Sequence, residues 1–342
     1  INEGVTNIGN YAFYSCGSLT GITIPDSVIK INTFAFYGCK SLTELHIGNN
    51  VTSISTNAFQ SCTGLASVTL PDNLTAVASS LFQGCTSLTD VTFGDNVTSI
   101  NNSAFQGCTS LVEITIPDSV TNIASLAFAD CEKLENINMG KNVTLIGSSV
   151  FSNCKNLKSF VIPEKVTTIS SGLFQGCTNL TSVVIPSSVT SIGQYAFYGC
   201  SGLTSVAIPN SVTSIGMEAF SGCSNLRSAW LPTSMTGISN GMFSGCTALT
   251  SIVMGDNIET IGESAFEYCE NLSDIMLPES VTSVAKRTFF KCSKLDSIRI
   301  LNPECKIYNS EDTICDSLIE ATDRHHFSGS IYGYEGSTAQ SY

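Results

Sequence analysis

The chain has 342 residues, only 13% of them charged, with a formal net charge of −13. That acidic balance excludes the basic footprint a nucleic-acid partner requires, and no run of about 18 apolar residues is present to span a membrane as a helix. Length alone suggests two ordinary domains, but internal repetition overrides that prior, because a solenoid grows without adding domains.

The chain opens in mid-repeat at Ile1 without an initiator Met. Val5, Ile8 and Phe13 belong to an incomplete first repeat, so more chain is expected before Ile1. From there the phase is unbroken. Thirteen of the 15 cysteines recur every 23 residues, from Cys16 through Cys177 to Cys292. A Phe precedes each by three residues, from Phe13 to Phe289, and a Leu follows each by three, from Leu19 to Leu295. Periods of this length mark a solenoid, in which each repeat buries its apolar side chains only against its neighbours.

The repeat after Cys177 illustrates the predicted elements. Leu180, Val183 and Ile185 read L-x-x-V-x-I, and the period of two at Val183 and Ile185 predicts a short strand with one face inward. Pro186 follows; the same position holds Pro or Gly in twelve of the thirteen repeats, and such residues end strands. Val189 and Ile192 predict a second inward-facing segment. Ala196-Phe197-x-x-Cys200 predicts a tight turn, with Gly199 in a slot that suits positive φ. The predicted fold class is therefore a leucine-rich-repeat type solenoid of about thirteen 23-residue repeats. Short parallel strands form its concave face, and turns, short strands or 3-10 turns its convex face. Residues 1–301 form the solenoid and 302–342 a C-terminal cap, with Ser337 a candidate helix N-cap.

The cysteines read as small buried hydrophobes pointing inward in all thirteen repeats, without metal-ligand spacing. Cys305 and Cys315 break the period and are the better disulfide candidates. The Asp or Asn that often follows the post-strand Pro or Gly, as at Asp26, Asp72 and Asp118, reads as turn chemistry: one carboxylate per repeat is too few oxygens for calcium. His46, with Glu44 two residues before it, occupies an outward strand position, and His325-His326 lies in the irregular tail. No nucleotide-binding or nucleophile motif is present. No cofactor, metal or catalytic site is assigned, and the chain reads as no enzyme.

The outward position between the two inward strand residues carries the binding expectation. It reads Thr23, His46, Thr69, Thr92, Thr115 and Asn138, then Val161, Val184, Ala207, Trp230, Val253 and Met276, then Arg299. The six apolar residues would form a stripe about 25 Å long at strand spacing. Residues 166–255 carry only two charges, Glu218 and Arg227. An exposed apolar run with a Trp anchor is a partner-binding signal; a bland sheet surface of strand-forming valines is the alternative. Lys286, Arg287, Lys291, Lys294, Arg299 and Lys306 gather near the cap, most simply as solvated charge.

The repeat VTSIGQYAFYGCSGLTSVAIPNS (189–211) resembles that of BspA-like leucine-rich-repeat surface proteins of bacteria, and the resemblance extends from residue 1 to about 301. The tail SIYGYEGSTAQSY (330–342) is similar to the segment that often follows the last repeat in that family. The resemblance implies an extracellular or cell-surface protein, used for adhesion to or recognition of protein or glycan partners on host or microbial surfaces. It implies no catalytic residues. A structural spacer, or a non-catalytic domain of a larger surface enzyme, stays open beside this reading.

Overall fold

The computed structural model describes residues 1–308, 313–315, 317–319, 324–326 and 329–333; for Cys315, Ser317–Ile319 and Arg324–His326 only the backbone is described. The chain is a parallel β-solenoid of about thirteen turns of 23 residues, with no helix among the described residues. It divides into two compact units, Ile1–Val166 and Thr167–Tyr342.

Each turn has three sides, and along the two strand sides hydrogen bonds join neighbouring turns in ladders of two to four strands. In the C-terminal unit the first side is the strand Ser205–Ala207, which pairs in parallel with Ser228–Trp230, and that in turn with Ser251–Val253. The second side is a two-residue strand such as Ser191–Ile192, in register with Ser214–Ile215. The third is the Ala-Phe-x-x-Cys corner. It is not a strand, yet Phe197 and Gly199 donate their N–H groups to the carbonyls of Ala219 and Ser221, both at 2.8 Å. In the N-terminal unit the same three ladders run through Glu113–Thr115 on Asn136–Asn138, Asn122–Ile123 on Leu145–Ile146, and Phe105 on Ala127.

The core lies inside these ladders. Leu203, Val212, Ala219, Phe220 and Cys223 are all fully buried. Phenylalanines stack in columns, from Phe13 to Phe151 at ring separations of 4.9–6.0 Å in the N-terminal unit. From Phe174 to Phe289 in the C-terminal unit the separations are 5.1–5.7 Å. Burying one such ring stabilises the fold by roughly 1.5–3 kcal/mol, and no turn can do this without a neighbour.

The corner holds two left-handed residues per turn. The position before the Cys is one, as at Gly199 (φ 69°), where Gly, Asn153 and Asp130 suit positive φ. The position five before the Cys is the other, and there the residue types are indifferent to it: Phe34 (φ 57°), Leu126 (φ 62°), Tyr195 (φ 58°) and Arg287 (φ 56°). A non-glycine residue in this region loses roughly 1–2 kcal/mol. The rung-to-rung bonds of the corner, such as Leu126 N–H to Ser148 O at 3.0 Å, offset that loss.

Twelve of the thirteen periodic cysteines point inward and are buried, but Cys16 is exposed, which corrects the expectation for the first copy. Only one neighbouring turn packs against it. The buried thiols also do more than fill space. Cys62 donates its S–H to the carbonyl of Phe36 at 3.2 Å, Cys108 to Phe82 at 3.3 Å and Cys223 to Phe197 at 3.2 Å. Burial pushes the thiols of Cys85, Cys131, Cys223 and Cys292 up to about 12.

Beyond residue 301 the period fails, yet the ladders continue. Lys306–Ile307 pairs with Ser283–Val284, Ile314–Cys315 with Phe289–Phe290, and Ser330–Tyr332 with Ser297–Arg299. Ser317–Ile319 and Arg324–His326 form an antiparallel pair. Cys305 is buried, while the side chains of Cys315, His325 and His326, and all of Ser337, lie outside the described residues.

Candidate binding face

The strand side of each turn is where side chains project without cover. Along Ser205–Ala207 the central Val206 is 3% exposed while its two neighbours are exposed, as the period of two requires. The same alternation puts the predicted residues outside: Val161 is 62% exposed, Val184 58%, Trp230 55%, Val253 52% and Met276 57%, and Ala207 is also exposed.

Five of the six belong to the C-terminal unit. Ala207, Trp230 and Val253 are direct register partners on three hydrogen-bonded strands. Val184 and Met276 occupy the same position on the strands to either side. Val161 belongs to the N-terminal unit, where it lines an open depression of about 570 Å³ with Asn136, Asn138 and Lys141.

The column runs further than the sequence pattern indicated. Met276 pairs with Arg299, and Arg299 with Tyr332, which is 54% exposed. Tyr332 was hidden because its turn does not keep the 23-residue spacing. The signal that could have found it is the triplet Ser330-Ile331-Tyr332, which matches Ser297-Ile298-Arg299 and Ser228-Ala229-Trp230. Serines flank the apolar column on the same face, and the hydroxyls of Ser205, Ser228 and Ser251 make no hydrogen bond to any described residue.

The strand face of the N-terminal unit is polar. Thr23, His46, Thr69 and Thr92 occupy the corresponding column, with Glu44, Asp90 and Glu113 beside it. Glu44 and His46 are exposed on one strand, over a shallow depression of about 600 Å³ shared with Thr23. The Asp column of the turns is occupied by the fold itself: Asp26 and Asp118 accept the backbone N–H of Asn49 at 2.8 Å and Lys141 at 3.0 Å. Among the described residues no group of three or more His, Cys, Asp and Glu is placed to hold a metal ion.

The basic end is spread over several faces. Lys286 bridges Glu263 at 3.0 Å and Arg287 bridges Glu267 at 2.5 Å, with the Arg287 guanidinium 4.3 Å from the Phe290 ring centre. Arg299 is on the strand face, and Lys306 on the two-residue strand side.

The arrangement resembles known structures over most of its length. A leucine-rich repeat protein from Bacteroides ovatus is 27% identical over 89% of this chain and 78% of its own, with a TM-score of 0.67. A leucine rich cell surface protein from Faecalibacterium prausnitzii is 33% identical over 92% of this chain and 80% of its own, with a TM-score of 0.53. A leucine-rich repeat protein from Eubacterium ventriosum is 26% identical over 86% and 76%, with a TM-score of 0.51. No curated protein matches the sequence at a significant level. The pattern of the BspA type leucine rich repeat region matches residues 6–106, 75–204 and 190–315. With that pattern spanning nearly the whole chain, the protein belongs to the BspA-type leucine-rich-repeat family.

Proposed function

We propose that this chain is a non-catalytic recognition or adhesion module of a cell surface, which binds a protein or glycan partner on its strand face. The observation that carries the reading is the exposed column Val184, Ala207, Trp230, Val253 and Met276, of which Ala207, Trp230 and Val253 are in register on hydrogen-bonded strands and the other two hold the same position on the strands to either side. An aromatic anchor amid contiguous exposed apolar side chains is uncommon on a surface that meets only water. Val161 supplies a smaller apolar element on the strand face of the N-terminal unit. The surface location is supported by the family and by the Faecalibacterium prausnitzii relative, a leucine rich cell surface protein. No helix among the described residues is long and apolar enough to cross a membrane.

The test compares the unmodified protein with a Trp230→Ala, Val184→Ser double variant on arrays of extracellular-matrix proteins and glycans. Both substitutions fall on exposed positions, so the variant keeps its fold, which circular dichroism checks. Loss of a bound partner supports the reading; partners retained at unchanged affinity remove the face from the function.

A further inference from the structure

The charges around Trp230 specify what kind of partner the strand face takes. Arg227 lies immediately before the strand Ser228–Trp230, three residues from Trp230 and within about 10 Å of it by chain length. It is exposed, and it makes no ion pair with any described residue. Between Thr167 and Gly255 the only acidic residue is Glu218, which sits at the left-handed corner of its turn rather than on a strand. The nearest acidic residues on the strand side are Asp274 and Asp296, two and three turns away. Two turns correspond to about 10 Å at strand spacing, and neither carboxylate forms an ion pair with Arg227. In a chain of net charge −13, the turn that carries the Trp presents a single charge, a cation with no ion-pair partner among the described residues.

We infer that the strand face of the C-terminal unit docks a protein segment that sets apolar side chains on Ala207, Trp230 and Val253 and a carboxylate on Arg227. The inference rests on the proposed function above and names the partner's chemistry. Trp and Arg are the side chains most enriched among those that dominate interface energies, and Ala207 is too small to shield the indole. Arg offers a carboxylate a planar, two-point contact, which ties the partner's acid to the neighbourhood of its apolar anchor. A neutral glycan would use the indole and the serine hydroxyls but would leave the guanidinium without a counter-charge.

Trp230 is the only tryptophan in the chain, so its fluorescence reports directly on this face. The experiment selects a random dodecapeptide display library on the folded protein, with an Arg227→Gln, Trp230→Ser double variant as counter-selection. The selected peptides are synthesised together with twins in which each Glu or Asp is replaced by its amide. The expected result is a blue shift of Trp230 emission on binding, and about a tenfold or greater loss of affinity in the Arg227→Gln protein for the acidic peptides but not for their amide twins. Equal losses for both twins, or no change in Arg227→Gln, overturn the inference. If no peptide binds but a neutral glycan quenches or shifts Trp230, the partner class is wrong and the recognition function stands. If neither binds, both fail.

Discussion

Cys108 donates its thiol proton to the carbonyl oxygen of Phe82, 3.3 Å away in the preceding turn, and the same oxygen accepts the backbone N–H of Cys85 at 3.1 Å. Both lone pairs of a buried carbonyl are thus used, one within its own turn and one between turns. The ladder cysteine is at once a small core residue and a hydrogen-bond donor. Cys108→Ala removes the donor and opens a void, and is expected to cost about 1–3 kcal/mol; Cys108→Ser keeps the donor and should lose less. Urea unfolding of the two variants separates a packing role from a donor role, since packing alone gives them similar losses.

The raised thiols also fix how stability depends on pH. Cys85, Cys131, Cys223 and Cys292 ionise near 12 when folded, against an ordinary value of 9.0, because burial disfavours the thiolate. The folded state therefore holds these protons more tightly than the unfolded one. Their contribution is intact below about pH 9 and is lost as the pH rises towards 12, at about 1.4 kcal/mol per pH unit for each thiol. Urea midpoints should be flat between pH 7 and 8.5 and fall steeply from pH 9.5 to 11. A flat profile to pH 11 contradicts the buried ladder.

Thiol labelling gives a second measure of the same arrangement. Cys16 is exposed, whereas Cys85, Cys108, Cys131 and Cys223 are completely buried. Iodoacetamide at pH 8 is expected to modify those four only after denaturation. Peptide mapping by mass spectrometry reads this out directly.

Phe174 is fully buried and stacks on Phe197 at 5.4 Å. Phe174→Ala should cost about 3–5 kcal/mol, seen as a lowered denaturant midpoint. Trp230→Ala on the exposed strand face should change stability by only about 0.5 kcal/mol.

Backbone geometry gives two substitutions of opposite sign. Leu126 is held at φ 62°. Leu126→Gly relieves that strain, at some loss of chain entropy, and is expected to leave stability unchanged or raise it by up to about 1 kcal/mol. At Gly140 an added Cβ would lie 2.3 Å from the Pro117 carbonyl oxygen, so Gly140→Ala should destabilise by about 1–3 kcal/mol. Thermal melting of both variants checks the pair.

Much of this was legible in the sequence because each turn meets only its neighbours. A column such as Phe59, Phe82 and Phe105 is written as a period, and the period states both the contact and the burial. The left-handed site before the Cys was legible through Gly84 and Gly107, whose residue type matches their backbone. The second left-handed site was not, because at Phe34, Leu126 and Arg287 the bonds between turns override local preference. Tyr332 was missed where the spacing broke, and the donor role of the thiols because composition does not place a carbonyl. Of the binding face, the exposed column was legible from the period of two. The missing counter-charge at Arg227 needed the corner position of Glu218.

The thiol-to-carbonyl link has a consequence for how such a chain can change in size. Within each unit, turn after turn offers the next the same oxygen and receives from it the same proton, so no position along these ladders is privileged. Residues 86–108 copied in tandem after Cys108 would arrive with Phe105 stacked, Leu111 in phase and each Cys opposite an acceptor. Whole-turn duplication is therefore close to neutral for the architecture, while a one-residue insertion between Phe105 and Cys108 would put both partners out of phase. Length is then free to follow the reach a partner demands, and sequence can diverge on the strand face without touching the frame that repeats beneath it.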